Sequence, residues 1–178
     1  VDISCYYLGN SAPGNYGCAA GGFILPEGSV VPPQGFAIVR GVNADPVPPN
    51  LLVENDGNVV EVVVESSSPI CLGNTYRLWF PNNGGWFAFY DNNGVAQDAI
   101  SWNNSECAGS TPCNPGPVGG CGYSGSLVSY NNIPDDRKTY ITPNSPTEDM
   151  SFSRLPDGGD WAYNDPTPPT YGTCNSEC

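Results

Sequence analysis

Short stretches of alternating apolar and polar residues, separated by turn-forming residues, run along most of this chain. Residues 1–9 show this alternation and predict a first strand, because the side chains of a strand point alternately to its two faces. Residues 21–40 predict two further short strands, one on each side of Pro32 and Pro33, since proline cannot donate a hydrogen bond to a sheet ladder. The first part of the chain therefore favours β structure.

The middle of the chain carries the strongest hairpin signal. Residues 59–65 are rich in β-branched side chains and predict a strand, and residues 76–80 predict another. Residues 86–90 and 95–102 flank the turn Asp91-Asn92-Asn93-Gly94, in which Asn-Gly supplies the positive φ that a tight turn requires. We expect these two stretches to pair as a hairpin.

Between residues 103 and 147 the alternation is lost. This segment is rich in cysteine, glycine and proline, and it predicts only one strand, at 126–130. Long segments of this kind inside a domain are usually functional or disordered, and the cysteines favour order. We interpret it as a disulfide-pinned insertion into a single domain that spans residues 1–178.

Composition supports the fold class and excludes several kinds of partner. The chain has 22 Gly and 19 Pro, which helix interiors tolerate poorly, so we expect an all-β domain. Its 5 Lys and Arg against 18 Asp and Glu give a net charge of −13. Nucleic-acid binding depends on cationic contacts to phosphate, and anionic lipid surfaces attract basic segments. We therefore expect no nucleic-acid partner, and no stretch is apolar enough to insert into a membrane.

The chain opens on Val1 without a starting Met. We expect that a segment upstream of this position has been removed. No signal peptide is visible in the sequence itself.

The cysteines predict a disulfide framework. There are eight, an even number, and the chain has no His, so zinc sites and catalytic thiols are disfavoured. Disulfides imply an oxidising compartment, which is extracellular, cell-surface or periplasmic, and we expect an extracellular or cell-surface location. Eight cysteines allow on the order of a hundred pairings; we favour Cys5–Cys18 across the first loop and one bridge within residues 107–121. The expected disulfide residues are Cys5, Cys18, Cys71, Cys107, Cys113, Cys121, Cys174 and Cys178.

Candidate chemistry is sparse. Without His, neither Ser-His-Asp nor Cys-His catalysis can be assembled, and no carboxylate pair stands out as a glycosidase site. We expect no enzyme activity and no catalytic or cofactor-binding residues. Calcium is the one cation we consider. Among the oxygen-rich turns at 55–58, 91–94, 134–136 and 157–160, only the third has two adjacent carboxylates, so Asp135 and Asp136 are the best candidates. None of these turns has EF-hand spacing, and turn chemistry explains them better.

Aromatic residues offer a second kind of ligand site. Trp79, Trp86 and Tyr90 are candidates for stacking on a sugar. Aromatic residues on alternating strands more often pack in a core, which we expect here.

The closing part of the chain carries a family resemblance. Ser151, Arg154, Pro156-Asp157-Gly158, Asp160-Trp161 and the turn at 167–169 occur in an order that resembles the closing signature of the lamin-tail domain family, of the bacterial secreted or cell-surface type. Residues 1–8, 23–39 and 85–102 resemble three further elements of that family, in family order. The resemblance implies an immunoglobulin-like β-sandwich that serves as a scaffold and binding module.

Three departures from the family pattern are evident. Cys5 stands where the family usually has glycine, and the closing turn ends in Pro169 instead of glycine. The family's opening strand is also absent before Val1. A fragment cut from a longer chain explains this absence most simply; the alternative is a sandwich whose open edge is completed by a neighbouring chain.

Several residues are expected to have structural roles within that domain. Asp98 and Arg154 are isolated charges beside aromatic strands, and a buried charge needs a partner. We expect Arg154 to be bound by carboxylate or backbone oxygens, with Asp98 and Asp157 as candidates. Trp102 and Trp161 are expected in the core.

Taken together, these features predict a non-catalytic structural or protein-interaction module of a secreted or cell-surface protein. Its partners would be other copies or other chains of the same assembly, joined by strand complementation in a surface filament or adhesin. A carbohydrate-binding module and an accessory domain of a secreted hydrolase are the two alternatives.

Overall fold

A computed structural model of the chain gives the fold of residues 1–9, 22–33, 35–41, 59–64, 85–102, 108–110, 112, 120–122, 127–141, 154–155 and 160–161. The regular structure of these ranges consists of β-strands and short 3₁₀ turns, without an α-helix, which confirms the all-β prediction. The strands are β1 (Tyr7–Gly9), β2 (Gly22–Ile24), β3 (Phe36–Gly41), β4 (Val59–Val64), β5 (Gly85–Tyr90), β6 (Ala96–Trp102), β7 (Lys138–Ile141), β8 (Arg154–Leu155) and β9 (Asp160–Trp161).

Five of the strands form the main sheet, in the order β2-β1-β5-β6-β7. The pairs β1–β2, β1–β5 and β5–β6 are antiparallel, whereas β7 pairs with β6 in parallel. The strand predicted from residues 1–9 is shorter than expected, because only Tyr7–Gly9 form β1. Earlier in this stretch, Asp2 forms an isolated bridge with Val30. The predicted strand at 76–80 lies outside the described residues.

The β5–β6 hairpin is confirmed, and its turn shows why the local sequence folds in this way. One Asp91 carboxylate oxygen accepts hydrogen bonds from the backbone N–H groups of Asn93 and Val95, each at 2.9 Å. Gly94 has a φ of 79° and donates its N–H to the Asp91 carbonyl oxygen at 2.9 Å. The aspartate and the glycine together reverse the chain, as their turn preferences require.

The centre of the sheet depends on two glycines that make room for a ring. Tyr7 is completely buried, and a Cβ atom added at Gly9 or Gly22 would overlap atoms of its ring. The ring also stacks on Tyr90 at a centroid distance of 6.0 Å. Glycine is required at these two paired positions by the close approach of the ring.

One face of the main sheet is covered by the strands β3 and β4, which pair in parallel with each other. Ala37, Val39 and Val60 of this pair belong to a hydrophobic cluster built around Leu25 and Ile3. The cluster also includes Tyr6, Leu8 and Phe89 from the main sheet and its first loop. We call this side of the main sheet the strand-covered face.

The opposite side of the main sheet is covered by described residues from the segment 108–133, which we call the 108–133 layer. Trp86, Ala88 and Tyr90 point to this side, which we call the aromatic face. The buried residues that the layer packs against this face are Ala108, Cys121, Leu127, Tyr130 and Ile133. The segment predicted as an insertion thus supplies part of the larger hydrophobic cluster and, further on, the strand β7.

Two sequence predictions in the later part of the chain are corrected by the structure. Residues 127–129 are not a strand, and Tyr130–Asn132 form a 3₁₀ turn. The closing run does not provide one long last strand: its described residues form β8 and β9, which pair only with each other as a small antiparallel sheet. The sequence between these strands, Pro156-Asp157-Gly158-Gly159, consists of residue types that break a strand.

Candidate functional site

A disulfide fixes the 108–133 layer to the start of β1. Cys5 and Cys121 are bonded across a sequence separation of 116 residues, with Cα atoms 5.3 Å apart. The predicted Cys5–Cys18 bridge is therefore wrong, and Cys121 is not available for a bridge within residues 107–121. The other six cysteines lie outside the described residues. Spacing along the chain favoured the nearest partner, whereas the packing of the layer on the sheet determines the actual one.

Cys5 adopts an unusual backbone conformation for a residue with a side chain. Its φ is 61°, in the left-handed region that glycine occupies most readily. Its N–H donates to the Leu25 carbonyl oxygen at 3.0 Å, and the neighbouring Ser4 hydroxyl accepts the N–H of Gly28 at 3.0 Å. These bonds and the disulfide hold the chain in this conformation despite its intrinsic cost.

Two side chains of the aromatic face add hydrogen bonds to the layer. The Trp86 indole N–H donates to the Ser110 hydroxyl at 3.0 Å, and the Tyr90 hydroxyl donates to the Val128 carbonyl oxygen at 2.6 Å. Burial strongly raises the pKa of Tyr90, and the neighbouring Tyr7 raises it further. Trp86 and Tyr90 are completely buried, so neither can stack on a sugar, and the expectation that they pack in the core is confirmed. Trp79 lies outside the described residues.

The outer side of β7 is one edge of the main sheet in the part of the chain that the structure describes. β7 pairs with β6 on one side, and no other strand of the described residues pairs with it on the other. An edge of this kind presents unpaired N–H and C=O groups to an incoming strand. Tyr140 is 47% exposed on this edge, whereas the following residue, Ile141, is buried.

β7 is anchored firmly at its start. A 3₁₀ turn at Asp135–Arg137 leads into it, and the Arg137 guanidinium donates to the Ala96 carbonyl oxygen at 2.9 Å. The Lys138 ammonium group donates to the Asn131 carbonyl oxygen at 3.1 Å and lies 3.0 Å from a carboxylate oxygen of Asp135. The edge therefore presents a pre-formed strand, which lowers the ordering cost of pairing with it.

Lys138 also contacts the 108–133 layer. Its ammonium nitrogen lies 5.7 Å from the centre of the Tyr130 ring, within the range of a cation–π interaction. Burial raises the pKa of Tyr130, and the nearby Ser101 hydroxyl and Lys138 charge act in the opposite direction. Lys138 thus connects the two 3₁₀ turns with the end of the 108–133 layer.

The calcium candidates lie at this same end of β7. Asp135 and Asp136 are exposed, and the Asp135 side chain is 97% accessible to solvent. The charge nearest to Asp135 is the Lys138 ammonium group, which already compensates it. No group of three or more cysteine, aspartate or glutamate side chains with the geometry of a metal site occurs among the described residues. A calcium ion at Asp135 and Asp136 stays a prediction.

The other edge strand of the main sheet, β2, differs from β7. It has three residues and pairs with β1 alone within the described part of the chain. It begins at Gly22, whose backbone lies against the Tyr7 ring. A glycine and a shorter ladder offer fewer side-chain contacts to an added strand than β7 does.

The residues expected to have structural roles are only partly covered by the structure. Asp98 lies opposite Phe89 in the β5–β6 pair and is half-buried, and its carboxylate accepts the N–H of Ala99 at 2.9 Å. Trp102 is half-buried at the end of β6 and is not one of the buried core residues, so the prediction that it lies in the core is not confirmed. The side chains of Arg154 and Trp161, and all of Asp157, lie outside the described residues, so the pairing predicted for Arg154 stays a prediction.

Sequence reasoning missed β7, although a signal for it exists. Lys138-Thr139-Tyr140-Ile141 combines three residues of high β propensity with a charged residue that is common on edge strands. The preceding Pro134-Asp135-Asp136 is a turn-forming sequence. A turn followed by three such residues predicts an edge strand.

A scan against protein-family models, a search of curated proteins and a search of solved structures each found no match to this chain. Among the described residues, no helix is long and apolar enough to cross a membrane.

Proposed function

We propose that this chain is a lamin-tail-like, immunoglobulin-like β-sandwich domain of a secreted or cell-surface protein. In this proposal the domain has no catalytic role and binds neighbouring chains by adding their strands to an open edge of its main sheet. The observation that carries the proposal is the outer side of β7, with which no strand of the described residues pairs, because a pre-formed edge with accessible backbone groups is a site for strand addition.

Two features support the family part of the proposal. The lamin-tail pattern usually has glycine at the position of Cys5, and Cys5 has the positive φ that glycine would adopt there. The β5–β6 hairpin, with its turn at Gly94, coincides with the third element of the resemblance. The parallel pair β6–β7 and the separate sheet of β8 and β9 are the parts of the fold that the resemblance did not imply.

The disulfide supports a location outside the reducing cytosol. Cys5 and Cys121 are the two cysteines within the described residues, and they are bonded to each other. Stable disulfides form and persist mainly in oxidising compartments. The even number of cysteines in the whole chain agrees with this location.

A displayed library of random peptides, each of about 12 residues so that it exceeds the length of a typical strand, tests strand addition. We expect the purified 178-residue chain to enrich peptides with alternating apolar and polar residues. Such peptides should raise its thermal midpoint and slow amide exchange along one edge of the main sheet. A stable monomer that enriches no peptide, with both edges already protected from exchange, would contradict the proposal.

A further inference from the structure

We propose that the outer side of β7 binds an extended, basic segment of a different protein as a sixth strand of the main sheet. The segment carries a β-branched or aromatic residue beside Tyr140 and a lysine or arginine beside Asp136. This inference rests on the proposed strand-adding function and adds which edge is used and which chemistry the guest has.

The register of the sheet places the side chains that a guest strand would meet. In β7, Lys138 is aligned with Ala99 and Tyr140 with Ser101. The side chains of Lys138 and Tyr140 therefore point toward the aromatic face. Thr139 and Ile141 point to the strand-covered face, where Ile141 is buried. The Tyr140 ring is thus the large exposed side chain of this edge.

The exposed Tyr140 ring favours a particular kind of neighbour. Side chains directly across from each other in adjacent strands contact one another, and aromatic rings pair well with β-branched and aromatic residues. A guest residue of that kind would cover the exposed part of Tyr140. Small or charged residues at this position would leave the ring in water.

The two carboxylates at the start of β7 are not equivalent. Asp135 is compensated by the Lys138 ammonium group, which lies 3.0 Å away. Asp136 is exposed, and no described side chain forms an ion pair with it. A cationic residue of the guest would therefore find its counter-charge at Asp136, two residues before the strand begins.

The charge of the whole chain decides between a different protein and a second copy. Each copy of the chain has a net charge of −13, so two copies repel each other, and this repulsion is strongest at low ionic strength. A basic segment is attracted by the same field, which also accelerates its association. The guest is accordingly a segment of a different, basic chain.

The test uses the full chain and two capped peptides of equal length, one alternating valine with lysine and the other alternating valine with glutamate. Binding is followed by calorimetry and by amide hydrogen exchange of assigned NMR signals. We expect the lysine peptide alone to bind and to slow exchange in β7. We expect its dissociation constant to rise at least roughly threefold between about 20 mM and about 200 mM salt.

Substitutions locate the contact. Asp136→Asn and Tyr140→Ser should each weaken binding by about twofold to fivefold, the range measured for single exposed ion pairs and cross-strand pairs. Glu27→Gln is the matched control, because it removes an exposed carboxylate in a turn of the β1–β2 end of the sheet. It should leave binding unchanged.

Thr139→Pro and Tyr140→Pro test the backbone contact. In an edge strand, successive N–H groups point alternately toward the paired strand and outward, so one of these prolines removes only an outward donor. The variant whose proline removes only the outward donor should fold with the parent's stability. It should no longer bind the peptide that alternates valine with lysine.

The possible failures are distinguishable. Protection of the β2 amides in place of those of β7 would overturn the inference and leave the proposed function intact. Equal binding of the glutamate peptide, or concentration-dependent self-association that protects β7, would overturn the assigned guest. Absence of protection at either edge with both peptides would contradict the strand-adding function itself.

Discussion

At the scale of single residues, Tyr7 shows how tightly the centre of the main sheet is packed. Its buried ring occupies the space above Gly9 and Gly22, two glycines that face each other in β1 and β2. We expect Gly9→Ala to lower the free energy of unfolding by about 1–3 kcal/mol, because overpacking displaces a ring that has no free space. Urea unfolding of the variant and its parent measures this difference.

Gly109→Ala is the control for that substitution. A Cβ at Gly109 would meet only the side-chain amide of Asn131, at 3.3 Å, and both residues are exposed. We expect a change within about 0.5 kcal/mol. Equal effects of the two substitutions would show that the Tyr7 ring is not tightly enclosed.

Tyr90 gives a prediction about alkaline pH. Its pKa is raised in the folded protein, whereas an unfolded tyrosine ionises near 10.0. Below pH 10 both states are protonated and the contribution of Tyr90 is fully present. As the pH rises above 10, the unfolded state loses its proton first, and stability falls.

The size of this effect can be isolated with Tyr90→Phe. The variant should lose about 1 kcal/mol at neutral pH, because the hydrogen bond to the Val128 carbonyl oxygen disappears. Above pH 10 its stability should fall less steeply than that of the parent, by up to about 1.4 kcal/mol per pH unit. Urea unfolding at a series of pH values measures both slopes, and identical slopes would contradict the assignment.

At the scale of elements, an element could be predicted where the interactions that specify it lie between residues close in sequence. The β5–β6 hairpin is specified by its own turn residues, Asp91 and Gly94, and the sequence predicted the bounds of both strands to within one residue. The residues of β7 carry a local strand signal, but its parallel pairing with β6, about forty residues earlier, leaves none, so its place in the sheet could not be predicted. The Cys5–Cys121 bridge is equally non-local, so spacing alone led to the wrong partner.

The candidate site was predictable only in part for the same reason. Asp135 and Asp136 were visible in the sequence as an acidic turn, but their position at the start of an edge strand follows from the sheet order. The sequence allows the side chains of Trp86 and Tyr90 to lie either on the surface or in the core. They lie in the core because the 108–133 layer packs on them. Burial of a side chain depends on residues far away in the sequence.

The disulfide gives a prediction about the 108–133 layer. Replacing Cys5 and Cys121 together by alanine should lower the stability of the protein by about 2–4 kcal/mol, because a long loop in the unfolded chain is no longer closed. Thermal and urea unfolding of the purified variant measure the loss. An unchanged stability would show that the packing of Leu127, Tyr130 and Ile133 holds the layer alone.

A second double variant, Cys5→Gly with Cys121→Ala, isolates the backbone conformation. Glycine adopts the φ of 61° without the cost that alanine incurs, so this variant should be more stable than the double alanine variant by about 1 kcal/mol. Equal stability of the two variants would mean that the backbone relaxes once the disulfide is absent.

At the scale of the whole molecule, the net charge of −13 opposes compactness. Like charges on a folded domain repel each other, and dissolved salt screens this repulsion. We expect the thermal midpoint to rise as sodium chloride is added from low ionic strength to the physiological range. A falling midpoint would indicate that attractive ion pairs, such as Lys138 with Asp135, outweigh the general repulsion.

The bond between Cys5 and Cys121 also sets an order of events during biosynthesis. Cys5 is made early and its partner only 116 residues later, so the first thiol must stay unpaired while other cysteines, beginning with Cys18, are added to the chain. Closing a short loop is faster than closing a long one, and early oxidation therefore favours the non-native pair. Efficient maturation of this protein requires that oxidation wait for the second half of the chain, or that an isomerase exchange the first bridge for the native one.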